Sequence, residues 1–359
     1  MTDHDLIVRT AAEPAPGRTG GNTTGHSTGH IVGAVVGLTT LLSVLLLAFA
    51  WPSSQLEPRH LPVAVAAPPE VAAQVEAGLA GAVGEEAVDV TAVATRADAV
   101  SAIEDREVYG AIVATPQGPE VLTASAGSPA VAQLLGQVGS ALAAGSGAPP
   151  TVTDVAPLPE DDPRGAVFGA GSFPLVIGGI AVGAVVSLRL AGRASRVAAT
   201  AGVTLLAGPV LVAILQYWFG ALDGSYLANA GVVSLGLGAI AFTLVGLHHL
   251  FGPAGLGLGA ATVLLLGNPL SGIASAPELL PDGWSLLGQL LPPGATGTAL
   301  RSTAFFDGAG ASTPLLVLAG WLAAGLLLAV LPSPRRAAQP ASRRTTSSPA
   351  PRTEAGPAV

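Results

Sequence analysis

Residues 173–332 form a nearly continuous series of apolar stretches, with arginines between the stretches rather than inside them. An apolar run of about 20 residues is long enough to cross the hydrocarbon core of a bilayer as a helix. Only 11% of the chain is charged, whereas about 25% is usual for a soluble domain. This pattern excludes an ordinary soluble fold and predicts an α-helical membrane protein.

We expect six transmembrane helices. The first covers residues 31–51 and ends in Trp51, a residue type that favours membrane interfaces. A cleaved signal peptide is the alternative, but its apolar region would be about 7–15 residues long and would closely follow a basic start. The other five spans form one membrane block within residues 173–332, at 173–190, 197–219, 228–247, 254–275 and 314–331.

Residues 52–167 differ from the apolar spans because they carry fifteen acidic residues against four arginines. Short β-branched runs alternate with segments of helical periodicity, a pattern typical of α/β structure. Thr95 and Asp98 have the spacing of a capping box at the start of one of these helices. We therefore expect a small α/β domain with parallel strand pairing between the first and second spans.

The arginines set the orientation, because cytoplasmic loops are enriched in basic residues. Ten of the fifteen arginines fall in three groups before, between or after the spans: Arg9 and Arg18; Arg189, Arg193 and Arg196; and Arg335, Arg336, Arg343, Arg344 and Arg352. With six spans, all three groups lie on one side. The sequence thus predicts a plasma-membrane protein with both termini cytoplasmic, and with residues 52–167 and the loop 277–313 outside. The polar tails, 1–30 and 333–359, are expected to be disordered.

Two missing residue types restrict the chemistry. The chain has no Cys, which excludes disulfides and thiolate metal sites, and all fifteen of its basic residues are Arg. A P-loop needs a Lys on the nucleotide phosphates, so any ATP-driven step must come from another polypeptide. We find no catalytic, cofactor-binding or metal motif and expect a non-enzyme without cofactors, whose surroundings are the lipid bilayer and not nucleic acid.

The loop 277–313 is the most distinctive candidate site. Its Leu280, Trp284, Leu287 and Leu291 recur at i, i+4, i+7 and i+11 and predict a short amphipathic helix in the outer leaflet. Together with Arg301, these residues fit either an external gate for an amphiphilic substrate or a lid over helix ends. Both interpretations stay open.

Two polar side chains are candidates for a site inside the block. Asn268 lies beside Pro269 near the end of the predicted fifth span, and Gln216 lies in a Gln-Tyr-Trp sequence near the end of the third. An interhelical hydrogen bond beside the Pro269 kink explains Asn268 better than a ligand contact does. An interfacial aromatic belt likewise explains the surroundings of Gln216.

Three stretches resemble one known family of membrane proteins. They are Leu61-Pro-Val-Ala-Val; Ala99 to Ile103 followed by Val108-Tyr-Gly-Ala-Ile-Val113; and Leu290-Leu-Pro-Pro-Gly-Ala to Arg301 with Phe305-Phe-Asp-Gly308. Together with the order of elements over residues 31–332, they resemble the type-2 ABC-transporter permeases. The likeness is closest to the bacterial phage-infection-protein (YhgE/Pip)-like membrane proteins.

This resemblance implies the membrane subunit of an exporter for an amphiphilic or envelope-related substrate. It also implies a homodimer, and a separate ATPase as the source of any energy for transport. The loop 190–196 is shorter than the segment with which such permeases contact their ATPase. That loop favours an alternative, a non-transporting scaffold or receptor whose external domain binds an envelope component or a partner. An intramembrane enzyme is a third and more distant alternative.

Overall fold

The computed structural model describes residues 24–144 and 150–332. The predicted tail 333–359, and most of the tail 1–30, lie outside these residues. The first helix, α1, covers Thr24–Ser54 and is longer at both ends than the expected span 31–51. Polar flanking residues can join an established helix, because each added residue contributes one hydrogen bond. The chain up to Leu47 forms a unit by itself, and the apolar side chains described there are largely exposed.

Five helices in the described part of the chain are long and apolar enough to cross a membrane. They are Gly29–Ser54, Ala166–Arg189, Arg193–Trp218, Tyr226–Phe251 and Ser312–Val330. The protein is therefore mostly helical and has the helices of a multi-pass membrane protein.

Between α1 and the second of these helices lies a five-stranded sheet with three helices, here called the sheet domain. Its elements are β1 Leu61–Ala66, α2 Pro69–Val83, β2 Val88–Val93, α3 Arg96–Glu104, β3 Gly110–Thr115, β4 Gly118–Thr123, α4 Pro129–Ala144 and β5 Thr151–Asp154. The strand order is β2-β1-β3-β4-β5. The capping box of Thr95 and Asp98 at the start of α3 is confirmed.

The expectation of parallel pairing holds for three of the four strand pairs. β1 pairs in parallel with β2 and β3, and β4 with β5, whereas β3 and β4 are antiparallel. The reason is the connection between β3 and β4, which consists of Pro116 and Gln117 only. A parallel pair needs a crossover of about a dozen residues, so these two strands form a hairpin.

The remaining elements form the helix block. They are α5 Ala166–Arg189; α6 Arg193–Ala213, continued by a π turn Ile214–Trp218; α7 Tyr226–Phe251; α8 Pro253–Ala261, continued by a π turn Thr262–Gly267; a 3-10 turn Pro277–Leu279; α9 Trp284–Leu290; α10 Pro292–Phe305; and α11 Ser312–Val330. We call the end of the block beside the sheet domain the domain end and the opposite end the far end.

Helix α7 is the centre of the block. It packs against α5, α6, α8, α10 and α11, and 78% of its most apolar stretch is buried. Its sequence is apolar on all sides, as expected for a helix that other helices surround. Around α7, large apolar side chains of α5, α6 and α11 stay exposed, among them Leu188, Leu206 and Leu316. These side chains give the outside of the block an apolar surface suited to lipid.

The predicted fifth span, 254–275, is shorter as a helix than we expected. The helix ends with the π turn at Gly267, and residues 268–270 form a turn. Pro269 has no N–H with which to continue the ladder, and Gly272 takes a left-handed φ of 66°. The helical segment Pro253–Gly267 has 15 residues, or about 22 Å of helix, against the roughly 30 Å of a bilayer core.

The contact between α7 and α11 gives a direct test of the packing. A Cβ at Gly325 of α11 would collide with the backbone of Phe242 and Thr243, whereas a Cβ at Gly320 of the same helix meets no atom within 4 Å. We predict that Gly325→Ala lowers the free energy of unfolding by about 1–3 kcal/mol. Gly320→Ala, the matched control, should be neutral or slightly stabilising, because Ala favours helix over Gly. Equal unfolding midpoints in detergent would contradict this packing.

Candidate functional site

Helices α9 and α10 form a hairpin within the helix block. The predicted amphipathic helix through Leu280 and Leu291 is shorter in the structure, because α9 covers only Trp284–Leu290. Leu280 and Leu291 each precede a proline and take extended backbone, with ψ of 153° and 149°. Proline disfavours helical backbone in the residue before it, which accounts for both boundaries.

Helix α10 is buried along most of its length and begins with Pro292 and Pro293 at its first helical positions. It contacts α7 so closely that a Cβ at Gly236 would collide with Thr296. With 14 residues it is about 21 Å long, too short to cross a bilayer. The apolar pattern of the sequence did not predict this helix. Prolines at the first turn were the signal that could have found it.

The structure separates the predicted gate residues into two groups. Leu280, Leu291 and Arg301 are 3%, 6% and 4% exposed, whereas Trp284 and Leu287 are both 38% exposed. Trp284 makes an edge-to-face contact with Trp51 at 5.4 Å between ring centroids. The two exposed residues fit a membrane interface, and the three buried ones hold the hairpin in place.

Arg301 is a buried arginine near the end of α10. Its Nη2 donates to the carbonyl of Ile273 at 2.7 Å, and its guanidinium lies 5.1 Å from the centre of the Phe168 ring. Its Nε has no hydrogen-bond partner among the described residues. A guanidinium stays protonated in proteins, so Arg301 is a buried cation.

A second arginine, Arg106 of the sheet domain, also reaches α10. Its Nη1 donates to the carbonyl of Thr298 at 3.1 Å and to the hydroxyl of Ser302. The guanidinium lies 5.3 Å from the centre of the Phe306 ring, and Phe306 packs into a hydrophobic cluster of the sheet domain. Burial lowers the pKa of Arg106. These contacts fasten the end of α10 to the sheet domain.

Tyr109 and Glu278 make a further link at the same place. The Tyr109 hydroxyl donates to Glu278 Oε2 at 2.6 Å, and burial, more than the charge of Glu278, raises the pKa of Tyr109. The segment that follows α1 contacts the loop that contains Glu278. There the N–H groups of Glu57 and Arg59 donate to the carbonyls of Leu279 and Glu278 at 3.1 and 3.0 Å. Neither Arg106 nor the pair of Tyr109 and Glu278 was among the site residues predicted from the sequence.

A polar cavity of about 200 Å³ lies between the sheet domain and the hairpin. Its walls include Arg106, Tyr109, Glu278 and Thr298, together with apolar side chains. We call Arg106, Arg301, Tyr109 and Glu278 the seam cluster. Neither arginine of this cluster forms an ion pair with a carboxylate in the described part of the chain.

The helix block also contains a buried amide that the sequence pattern did not indicate, Asn229. Asn229 is completely buried; its Nδ2 donates to the Asp223 carbonyl at 2.8 Å and to Gln216 Oε1 at 3.2 Å. Its Oδ1 accepts from the hydroxyl of Thr303 at 2.7 Å. Gln216 therefore takes part in a polar network that ties α7 to α10, while Asn268 is half-buried in the turn after Gly267.

An apolar cavity of about 30 Å³ lies between α5, α7 and α10, lined by side chains that include Phe168, Leu237, Ile273 and Leu300. One water needs roughly 10–15 Å³ on this measure, so this cavity holds at most two or three. The helices thus leave little free space between them at this point.

Comparison with known proteins gives no match: no family model, no curated sequence and no solved structure is significantly similar to the chain. The residues that the structure describes also contain no group of three or more His, Cys, Asp or Glu side chains placed to hold a metal ion. The hairpin and its contacts are therefore the features of the molecule that indicate a function.

The Asn229 network is tested by removing one hydroxyl. Thr303→Val keeps the side-chain shape but leaves the buried Oδ1 of Asn229 without its donor, and we expect a loss of about 1–2 kcal/mol in unfolding free energy. Thr262→Val is the control, because among the described residues the Thr262 hydroxyl donates only to the carbonyl of Leu258 in its own helical segment. The measurement is the thermal unfolding midpoint in detergent; equal midpoints for both variants would count against the network.

Proposed function

We propose that this protein is a plasma-membrane permease, the membrane subunit of an exporter for an amphiphilic or envelope-related substrate. The observation that carries the proposal is the hairpin of α9 and the buried helix α10, together with the shortened helix Pro253–Gly267. Interrupted helices inside a membrane bundle are tolerated where protein surrounds them, and in transporters such helices line the substrate site.

The same structure supports six membrane crossings. At the far end, Arg193 donates to the carbonyl of Val330, and His249 lies 2.9 Å from the carbonyl of Leu331. The start of α6, the end of α7 and the end of α11 therefore meet at the far end. The chain returns to the domain end through Pro253–Gly267 and the turns that follow it, which makes the fifth of the six crossings partly non-helical.

The arginine distribution gives the proposed orientation. Arg189 and Arg193 lie at the far end, next to the short turn 190–192, and the positive-inside rule puts that end in the cytoplasm. The sheet domain and the hairpin then face outward. The hairpin is accordingly the outer gate, and the apolar cavity of about 30 Å³ is the narrow outer end of the substrate path.

A scaffold or receptor without transport is the second candidate, and one observation favours it. Only residues 190–192 separate α5 from α6, which leaves little surface for an ATPase to grip. Affinity purification from the native host separates the two candidates. A stoichiometric P-loop ATPase among the co-purified proteins supports the permease, and envelope proteins without an ATPase support the scaffold.

A reversible cross-link tests the gate. Gly169 of α5 faces Ala274 of the loop before the hairpin, with 3.8 Å between Ala274 Cβ and a Cβ built at Gly169, within the roughly 3.5–4.5 Å range of disulfides. Because the chain has no Cys, Gly169→Cys and Ala274→Cys introduce its only thiols. Oxidation should hold the hairpin closed, so we expect efflux of amphiphilic dyes from expressing cells to fall at least tenfold and to recover on reduction.

Each single cysteine variant serves as the control, since neither can form the intramolecular bridge. Efflux in the oxidised double variant at the rate of the reduced one would contradict a gate at this position. No efflux above that of cells without the protein would count against the permease itself.

A further inference from the structure

The seam cluster has more positive than negative charge. Arg106 and Arg301 each carry one positive charge. Glu278, which accepts the hydrogen bond of Tyr109, is the carboxylate of the cluster. Burying an arginine that lacks an ion pair costs free energy, which a bound anion would recover. The cluster is therefore electrostatically incomplete by about one negative charge.

The donors of Arg106 are only partly used. Both described hydrogen bonds of its guanidinium come from Nη1; Nε and Nη2 form none with the described residues. A guanidinium presents its donors in a planar fork that matches the oxygens of a carboxylate or a phosphate. Arg106 also lines the cavity of about 200 Å³, with the Tyr109 side chain beside it.

We propose that this cavity binds a small oxyanion of the phosphate class, held by Arg106. The volume of about 200 Å³ is many times the roughly 10–15 Å³ that one water needs, which leaves room for a phosphate group and its remaining waters. Two sources have this chemistry: free phosphate and the headgroup of an anionic lipid. The inference does not depend on whether the chain transports.

Nearby acidic residues do not fill the same role. Glu104, Asp105, Asp223 and Asp307 are exposed and line a separate, wider cleft. Water and salt screen exposed charges strongly, whereas partly buried charges interact over short distances with little screening. The exposed carboxylates thus lower the affinity of the cavity for an anion, but the cavity still favours an anion over a cation.

Phosphate binding is measured as a rise in the thermal unfolding midpoint of the purified full-length protein in uncharged detergent. Phosphate replaces chloride at constant ionic strength. We expect a saturable rise for the wild type and its loss in Arg106→Gln. Arg96→Gln is the matched control, because Arg96 pairs with Glu120 on the surface of the same domain at 2.9 Å and should leave the response unchanged.

Glu278→Gln makes the test independent of any folding defect in the arginine variant. The glutamine amide oxygen still accepts the hydrogen bond of Tyr109. The substitution removes the negative charge beside the site, so phosphate should bind about tenfold more tightly. A rise in the unfolding midpoint only in nanodiscs with anionic lipid would identify a lipid headgroup as the source, provided that the variants differ in the same way as expected for phosphate. No response in either medium, or an equal response in Arg106→Gln and Arg96→Gln, would overturn the proposal.

Discussion

The hairpin depends on side chains that donate hydrogen bonds to backbone carbonyls. These carbonyls have no helical partner, because the helices are interrupted beside them. Arg301 bonds to the carbonyl of Ile273, Gln289 to that of Ser271 and Trp321 to that of Leu290, at 2.7–2.9 Å. An unpaired carbonyl away from water costs several kcal/mol, so a broken helix persists inside a block only when such partners exist. The polar side chains around α10 are thus a requirement of its irregular path.

The sheet domain is part of the same arrangement. Arg106 bonds to two residues of α10, Phe306 lies in the core of the sheet domain, and Leu279 packs against its β1 and α4. Any movement of the hairpin must therefore break or carry along these contacts. A ligand bound in the seam would bias that movement only through a different affinity for the two positions.

The sequence predicted the features that depend on local pattern. Apolar length located the helices, and the Thr95–Asp98 spacing located the start of α3. Three outcomes depended on tertiary contacts instead. Asn229 looks like one more residue of an apolar span until Thr303 and Gln216 are placed beside it, Arg106 lies 192 residues from its partner Thr298, and α10 lacks the apolar periodicity by which the other helices were recognised.

Hydrogen–deuterium exchange of the backbone amides in lipid nanodiscs tests most directly whether the sheet domain holds the hairpin. In the wild-type protein, amides of α10 should exchange nearly as slowly as those of α7, since both helices are buried. Arg106→Gln should accelerate exchange in α10 at least tenfold while α7 stays protected, and Arg96→Gln should change neither. Fast exchange of α10 in the wild type, or equal protection of α10 in Arg106→Gln, would contradict the account.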